Sequence, residues 1–522
     1  MPSALGRQYE RSLPLDQRAA RWWRACVYRQ RSGLASLLAL AVLVVVVVNL
    51  QLMTRTWRAR PPLPPPPASF TDGLPRSGQM SSHTKSRHVV DTLGRIASQQ
   101  TTPGSRGIVL PLFDDIGTLG VSLILELRAM GVALPIEIPH CGDLSAKRVQ
   151  RLLAEDAHVR VYDVCETAAK MRTSLGEPLF CRDLADCHWR FRSFSIKVLA
   201  LVLSSFSEVM LLDADTLFFE SPGSLWDSTA YESTGTLFFT DRISYDVSYL
   251  AKRVPGRDRV SFLHDFMASF DVAPFRALAS LPRPRSSLSR LSPFRFSFEP
   301  SDVLLQSHAW TLRAGHQMDS SLVLWNKARQ PRATAILASF LVLDAFPFAA
   351  KDEAQQLRRR KPPPLAAPSY GDKELYFLAC ELAETQYAFT PHAVATIGTE
   401  VRLDHGDGRS VLCGDALHYV PDDRSSDPRP LYINSDDMLS WNVDTTPLFR
   451  SVARPATLFP GSFSERGLPQ TCPFNVSVRT LTPEQRDRVR RRQELHAIAQ
   501  TWTGEDARNH ERSSWWAWLA GP

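Results

Sequence analysis

Apolar and polar residues alternate along residues 107–212 in blocks that predict strands and helices in turn. Stretches typical of strands lie at 108–110, 135–138, 159–164 and 209–212. The blocks between them carry aliphatic residues at helical spacing, as residues 116–130 do, or begin with a capping residue, as the helix from Asp143 to Leu153 does. This rhythm predicts an α/β protein with a parallel, Rossmann-like sheet flanked by helices.

Further elements follow in the second half of the chain. Strands are predicted at 236–240 and 320–325, and helices at 303–313, 333–346, 375–383 and 482–499. Two stretches rich in Arg and Pro, near 254–300 and 351–369, are predicted to be surface insertions, the first of them a solvated loop. The charged helix at 482–499 is predicted to be a solvated terminal helix.

The first 105 residues have the pattern of a membrane-anchored protein. Residues 33–53 form an almost uncharged apolar run that is long enough to cross a bilayer as a helix. The arginine-rich residues 1–32 before it favour a cytoplasmic tail and a single-pass type II signal anchor, and a cleaved signal peptide is the alternative. Residues 54–105 are predicted to be a Pro- and Ser-rich stem, 106–480 a lumenal domain, and 481–522 a charged C-terminal helix and tail.

Composition supports a globular domain in a secretory compartment. The chain has 522 residues, 44% of them hydrophobic, which is enough for a substantial core. Its net charge of +7 is uneven, with seven arginines before the apolar run. We predict no nucleic-acid partner, because the charged helix at 482–499 lies on the predicted lumenal side. Seven cysteines follow the apolar run without zinc-site spacing, which predicts disulfides and at least one cysteine left over. Asn475 begins a glycosylation sequon.

Candidate chemistry lies directly after the strand at 209–212. Asp213 and Asp215 are two residues apart, so in extended chain their side chains leave the same face at the carboxyl end of a parallel strand, where α/β proteins bind ligands. Paired carboxylates suit a hard divalent cation shared with nucleotide phosphates, whereas a turn after the strand is the simpler interpretation. The chain has no G-x-G-x-x-G motif, so phosphate binding would depend on the metal.

Four motifs in order carry a family resemblance. VMLLDADTLFFESP, TLFFTDR, HQMDSSLVLWNK and YGDKELYF resemble segments of the fungal Golgi α-mannosyltransferases of the Mnn type, over about Gly107 to Asn434. The resemblance implies a GT-A-like fold with a mixed, mostly parallel sheet, on a type II Golgi membrane protein with a lumenal catalytic domain. It also implies transfer of mannose from GDP-mannose with Mn²⁺ or another divalent cation, to form an α-1,3 or α-1,2 linkage with retention.

Several donor-site residues are implied by position in these motifs. Asp213 and Asp215 would hold Mn²⁺ and the donor diphosphate, and Lys197 and Lys373 would contact the nucleotide. For Lys197, a solvated position on its helix is the alternative. Because GT-A enzymes often complete the metal shell with a late histidine, His418 is the candidate third ligand, against a hydrogen-bonded structural role.

Three acidic residues are the implied catalytic candidates. Asp319 is either a covalent nucleophile or a hydrogen-bonding partner of donor or acceptor hydroxyls. Asp372 and Glu374, in the G-D-K-E segment, are acceptor-binding or general-base candidates, or only carboxylates favoured at a helix N-terminus. Ser321 departs from the family pattern, which has glycine there, and we expect it to narrow the acceptor side.

The expected partners follow from this assignment. They are a sugar nucleotide, a mannoside acceptor on a glycoprotein or cell-wall glycan, the membrane through one N-terminal helix, and a Golgi enzyme complex or second copy of the chain. Alternative functions are a glycosyltransferase with another sugar nucleotide and a catalytically silent glycan-binding protein. A two-carboxylate hydrolase is disfavoured because it would need more ligands than one tight pair.

Overall fold

The computed structural model describes twelve strands and twelve α-helices in ranges that omit several segments. The described residues are 82–99, 102–242, 249–254, 260–289, 294, 296–343, 369, 371–402, 410–456, 472–473 and 476–503. The strands in these ranges are β1 (Thr102–Val109), β2 (Ile136–His140), β3 (Val159–Asp163), β4 (Phe206–Leu212), β5 (Thr216–Phe218), β6 (Thr236–Thr240), β7 (Met318–Asn326), β8 (Ala395–Arg402), β9 (Ser410–Tyr419), β10 (Pro430–Asn434), β11 (Phe449–Ser451) and β12 (Val478–Thr480).

Helices precede, connect and follow these strands. They are α1 (Ser82–Gln99), α2 (Gly117–Ala129), α3 (Ala146–Glu155), α4 (Val164–Lys170), α5 (Leu184–Phe191), α6 (Ser195–Leu203), α7 (Thr229–Thr234), α8 (Phe262–Ser269), α9 (Asp302–Gln306), α10 (Pro331–Ser339), α11 (Leu375–Leu382) and α12 (Pro483–Thr503). Short 3₁₀ turns lie at Asp114–Ile116, Pro222–Asp227, Tyr249–Ala251, Ala273–Phe275 and Asp437–Leu439.

The first sheet has the strand order β3-β2-β1-β4-β7-β6. Strands β1 to β4 are mutually parallel, and β7 runs antiparallel to both β4 and β6. Side chains of β4 alternate between two core clusters, with Val209 and Leu211 in one and Met210 and Leu212 in the other. Because both faces of the strand are covered, its apolar run is unbroken. The predicted α/β fold with a mixed, mostly parallel sheet is therefore confirmed.

The second sheet is antiparallel throughout, with the strand order β12-β11-β8-β9-β10-β5. Sequence analysis predicted none of its strands. β5 begins directly after the two aspartates and pairs Thr216 with Asn434 of β10. The second sheet therefore lies beside the carboxyl end of β4 and forms one wall of the candidate site.

The folded part begins earlier than predicted. Helix α1 lies within the proposed 54–105 stem, but its Val90, Leu93 and Ile96 are buried in the main core. The apolar stripe on this helix explains the difference, because an amphipathic helix gains stability by packing. The described ranges contain no helix long and apolar enough to cross a membrane. The predicted span 33–53 and the insertion at 351–368 lie outside those ranges.

Two regions predicted to be solvated are packed. In the 254–300 segment, Leu263, Met267 and Phe275 are buried, because α8 and the turn after it bring apolar side chains to the core. The helix predicted at 482–499 exists as α12, but Val489 and Ala499 are buried rather than solvated. The helices predicted at 303–313 and 333–346 are shorter, at α9 and α10.

The cysteine pattern agrees with the expectation from counting. Disulfides join Cys141 to Cys165, Cys181 to Cys187 and Cys413 to Cys472. Cys380 is free and buried, which confirms that one cysteine is left over. The sequon residue Asn475 lies outside the described residues.

Packing of α1 can be tested by truncating one side chain. Leu93 is fully buried, so Leu93→Ala is expected to lower the free energy of unfolding by about 2–5 kcal/mol, measured by urea denaturation. Leu153 on α3 is 48% exposed, and Leu153→Ala should change that free energy by about 0.5 kcal/mol or less. Equal effects of the two substitutions would contradict the packed position of α1.

Candidate active site

The candidate site lies at the carboxyl end of β4, where the chain passes into β5. The backbone N–H of Asp213 donates to the carbonyl oxygen of Ser321 on β7 at 2.9 Å, which extends the β4–β7 pairing into the D-x-D segment. The hydroxyl of Thr216 donates to the carbonyl oxygen of Asp213 at 2.9 Å and closes the turn. These bonds fix the turn that carries both carboxylates.

Lys197 of α6 is the central cation of the site. Its Nζ lies 2.8 Å from Oδ1 of Asp213 and 3.1 Å from Oδ2 of Asp372, and it donates to the carbonyl oxygen and the hydroxyl of Ser320 at 3.0 and 2.9 Å. The residue is 6% exposed, so the solvated alternative is wrong. Burial alone would lower the pKa of Lys197, but the two carboxylates outweigh burial and raise it. Lys197 is therefore charged.

Asp215 receives its partner from the second sheet. With its amide nitrogen turned to the carboxylate, Asn434 of β10 donates to Oδ1 and Oδ2 of Asp215 at 3.0 and 3.3 Å. The N–H of Ser435 donates to the backbone oxygen of Asp215 at 3.0 Å. Burial, then the charges of Asp213 and Asp436, raise the pKa of Asp215 to about 8. The carboxylate is oriented by an amide and surrounded by like charge.

Asp213 is also affected by an excess of negative charge. Burial is the largest cause that raises the pKa of Asp213 to about 6; Lys197 opposes the rise, while Asp372 and Asp319 add to it. The side chain is 27% exposed and remains reachable from solvent. Both members of the D-x-D pair thus lie where an additional positive charge would be favourable.

Asp319 and His418 form a buried pair that joins the two sheets. Nε2 of His418 lies 2.9 Å from Oδ2 of Asp319, and each residue is 2% exposed. Oδ1 of Asp319 accepts the N–H of Ser321 at 2.9 Å. Burial would raise the pKa of Asp319, but His418 and Lys373 bring it well below its ordinary value. With both oxygens engaged and 2% exposure, Asp319 does not present a nucleophile to solvent.

His418 does not join the aspartates in a ligand set. Within the described ranges, no group of three or more His, Cys, Asp or Glu side chains is arranged to hold a metal ion. The imidazole stacks on the ring of Tyr432 with centroids 4.6 Å apart and meets Phe239 edge-on at 5.1 Å. His418 is thus held by its carboxylate partner and two rings, and its role as a third metal ligand stays a prediction.

Ser321 has a different role from the one expected. It is fully buried, and its hydroxyl lies 3.0 Å from the hydroxyl of Tyr432 on β10. A buried side chain cannot narrow the acceptor side directly. Its hydroxyl instead forms a second polar link between the sheets, beside that of Asp319 and His418.

Lys373 pairs with an aspartate that sequence analysis did not single out as a site residue. Its Nζ lies 2.6 Å from Oδ2 of Asp241, just after β6. Burial would lower the pKa of Lys373, but Asp241 and then Asp319 raise it. The side chain is 19% exposed, so a contact with a ligand remains open to it.

Asp372 and Glu374 are both buried and engaged. Asp372 is 1% exposed, bound to Lys197, and accepts the hydroxyl of Tyr376 at 2.8 Å. Glu374 is fully buried and accepts the backbone N–H groups of Gln317 and Met318 at 3.1 and 3.3 Å. Burial raises the pKa of Glu374. Asp372 belongs to the Lys197 network, whereas Glu374 holds the start of β7.

Four of the predicted site residues therefore lie together. Asp213, Asp215, Lys197 and Asp372 come together at the end of β4, and Asp319 contributes charge to the same region. Sequence analysis missed Asn434, because nothing near it in the chain shows that β10 pairs with the segment after the D-x-D motif.

Known proteins similar to this chain include two from Saccharomyces cerevisiae. The chain is 25% identical over 334 residues to the probable α-1,3-mannosyltransferase MNT4 of Saccharomyces cerevisiae, a match that covers 60% of this chain and 47% of that protein. It is 24% identical over 306 residues to the α-1,3-mannosyltransferase MNT2 of the same yeast, which covers 57% and 46%. The chain thus spans less than half the length of these relatives.

Two solved structures show weaker likeness. One is the galactosyltransferase LgtC with donor and acceptor sugar analogues, at 13% identity and a TM-score of 0.26, covering 54% of this chain and 73% of that one. The other is the bifunctional glycosyltransferase WbbM, also at 13% and 0.26, covering 56% and 39%. These scores are too low to carry the fold assignment, which rests on the observed sheets.

A protein family matches a long, continuous segment of the chain. It runs from residue 105 to residue 419 and includes the D-x-D pair, Lys197, Asp319 and the G-D-K-E segment. The resemblance to fungal Mnn-type mannosyltransferases is thereby confirmed. Since the family described as "Mannosyltransferase putative" matches more than half of the chain, this protein belongs to that mannosyltransferase family.

Proposed function

We propose that this chain transfers mannose from GDP-mannose to a mannoside acceptor on glycoprotein or cell-wall glycans, with an α-1,3 linkage. The observation that carries the proposal is the D-x-D pair at the carboxyl end of β4, which lies in the family-matched segment and is held by Lys197 and by Asn434. The yeast relatives bear the name α-1,3-mannosyltransferase, which favours that linkage over α-1,2. Since the GDP-mannose donor is α-linked, an α-mannoside product means retention.

A divalent cation such as Mn²⁺ fits the charges of the site. Asp213 and Asp215 would hold it. Burial and neighbouring carboxylates raise the pKa of both side chains, and a nearby cation would lower these pKa values again. Donor phosphates and water would supply the remaining ligands, since hard cations take oxygen. When bound, the cation acts as a Lewis acid on the negative charge that develops on the diphosphate.

The chain's own residues position these carboxylates. Lys197 holds Asp213 from one side, and the amide of Asn434 orients Asp215 from the other. Lys373, partly exposed beside Asp241, is our candidate for a contact with the donor. We assign Asp319, Asp372 and Glu374 to support, because each is buried and already bound to a partner.

For its location we propose a Golgi membrane protein of type II with a GT-A-like lumenal catalytic domain. The apolar run at 33–53 with its basic leader supports a signal anchor. Three disulfides support an oxidising compartment. The mixed sheet, with β7 inserted antiparallel beside the D-x-D strand, supports the GT-A assignment.

Donor and metal can be tested together. The purified full-length chain is incubated with a panel of sugar nucleotides and a mannoside acceptor, with Mn²⁺ or with EDTA, while nucleoside diphosphate release is followed. We expect release from GDP-mannose that depends on acceptor and is abolished by EDTA. Turnover of another sugar nucleotide alone would overturn the mannosyl assignment. A folded chain that binds mannan and turns over no donor would indicate a glycan-binding protein.

Asp215→Asn should separate activity from stability. We expect transfer to fall by about a hundredfold or more, because a charged ligand is lost. The free energy of unfolding in EDTA at pH 7 should not fall. The folded-state pKa of about 8 lies above the ordinary 3.8, so the metal-free wild type loses stability as pH rises between these values, and the amide variant lacks that loss. The exposed Asp227→Asn is the control, and wild-type turnover in Asp215→Asn would refute the site.

Lys197→Met should destabilise the fold. Removing the buried ammonium leaves Asp213 and Asp372 unpaired, with an expected loss of about 3–5 kcal/mol in urea denaturation. Adding Asp372→Asn should restore part of that loss. Lys170, whose side chain is 72% exposed in its pair with Glu166, is the matched control, and Lys170→Met should cost about 0.5 kcal/mol or less. Similar losses in both lysine variants would contradict the described network.

A further inference from the structure

One arginine of helix α12 binds the main chain of the D-x-D segment. Arg492 of α12 is 1% exposed, and its Nη2 donates to the backbone oxygens of Leu119, Ala214 and Thr216 at 3.4, 3.2 and 3.3 Å. The last two carbonyl groups belong to the residues on either side of Asp215. The main chain that carries the second carboxylate is thus bound by a single guanidinium group.

A glutamate of α2 completes this anchor. Nε of Arg492 lies 3.6 Å from Oε2 of Glu126, and Oε1 of Glu126 accepts the N–H of Phe218 at 3.4 Å. The pair therefore contacts the chain at Ala214 and Thr216 through the arginine and at Phe218 through the glutamate. The pair thus binds the segment from the D-x-D motif into β5 at three alternate residues.

The residue next to Arg492 holds the other loop of the site. Nε2 of Gln493 donates to the backbone oxygens of Met438 and Trp441 at 2.7 and 2.8 Å. These residues follow Asn434, the amide partner of Asp215. Two neighbouring side chains of α12 thus bind the two loops that converge on one carboxylate.

The burial of this arginine is costly, and its contacts indicate what it does. Burial lowers the pKa of Arg492, with Glu126 and Asp215 opposing, and its Nε and Nη1 have no hydrogen-bond partner in the described part of the chain. A buried charge that is only partly satisfied contributes little to stability. All three carbonyl groups are bound by one nitrogen, Nη2, whose N–H groups are fixed in the plane of the guanidinium, whereas the N–H groups of an ammonium rotate. The arrangement is therefore suited to fixing geometry.

We propose that Arg492 is a positioning residue for the transfer reaction, which fixes the main chain on both sides of Asp215 and so sets the direction of that carboxylate. It does not touch the substrate and acts through the backbone oxygens of Ala214 and Thr216. The inference rests on the proposed function of the D-x-D pair. It assigns a role in the site to a helix outside the family-matched residues 105–419.

The first test needs neither metal nor substrate. Amide hydrogen exchange of the full-length chain in EDTA is compared between wild type, Arg492→Lys and the control Arg491→Lys, whose parent side chain is 57% exposed. In Arg492→Lys the amides of residues 213–218 should exchange about tenfold faster, while those of β1 and β2 stay at wild-type rates. The reason is that the substitution makes local opening of this segment easier and leaves opening of the core unchanged. Arg491→Lys should match wild type throughout.

The second test is kinetic and uses the same variants. With GDP-mannose and Mn²⁺, Arg492→Lys should raise the donor KM about tenfold with a smaller change in kcat, because the misplaced carboxylate weakens binding of the donor complex. The Kd for Mn²⁺ alone, from titration calorimetry, should rise in parallel. Glu126→Gln, which removes the charge of the partner and keeps its shape, should shift both in the same direction by less.

Two results would overturn the proposal. One is a wild-type exchange rate at residues 213–218 in Arg492→Lys. The other is faster exchange spread evenly over the chain, with the donor KM and the Mn²⁺ affinity unchanged. That result would mean that Arg492 contributes only to general stability. If the wild type turns over no donor, the proposed function fails, whereas the exchange measurement in EDTA still decides whether Arg492 fixes the segment around Asp215.

Discussion

A buried ammonium group with two carboxylate partners is the interaction on which the candidate site depends. Lys197 comes from α6, Asp213 follows β4, Asp372 precedes α11, and Ser320 lies on β7. Removing a charge from water costs several kcal/mol unless it is paired and hydrogen-bonded, so these elements are stable only when assembled together. The position of Asp213 is therefore a consequence of the whole first sheet and its helices.

The second constraint is the joining of two sheets that differ in strand direction. Asp319 on β7 meets His418 on β9, and Ser321 on β7 meets Tyr432 on β10. Both links are buried polar pairs in an otherwise apolar layer, and such pairs are favourable only in one register. That register places Asn434 beside Asp215. The orientation of the second carboxylate thus depends on residues that are distant in the chain.

Local patterns predicted the parts of the fold that are locally determined. The apolar run of β4 is visible because the strand is covered on both faces, and the two aspartates follow it in the sequence. The strands of the second sheet escaped prediction because their burial does not alternate: β8 is buried in its first half and exposed in its second. The burial of Lys197 did have a local signal, since every residue of α6 other than Ser195 and Lys197 is apolar.

One face of α12 is buried although its residues do not form an apolar stripe. Val489, Arg492, His496 and Ala499 are spaced by three, four and three residues, which places them on one helical face, and all four are buried. The face includes two polar residues, so a hydrophobicity pattern does not show it. A charged residue on such a face indicates a partner elsewhere in the chain, but the sequence does not say which.

The D-x-D motif by itself therefore does not define the geometry of the site. The family-matched segment, 105–419, contains both aspartates and Lys197, but it contains neither Asn434, which orients one carboxylate, nor Arg492, which binds the main chain around it. Lys197 acts on the side chain of Asp213, whereas Arg492 acts on the backbone beside Asp215, so the two supports are not interchangeable. Two neighbouring carboxylates repel each other, and only a framework that fixes both can hold them in position to share the proposed cation.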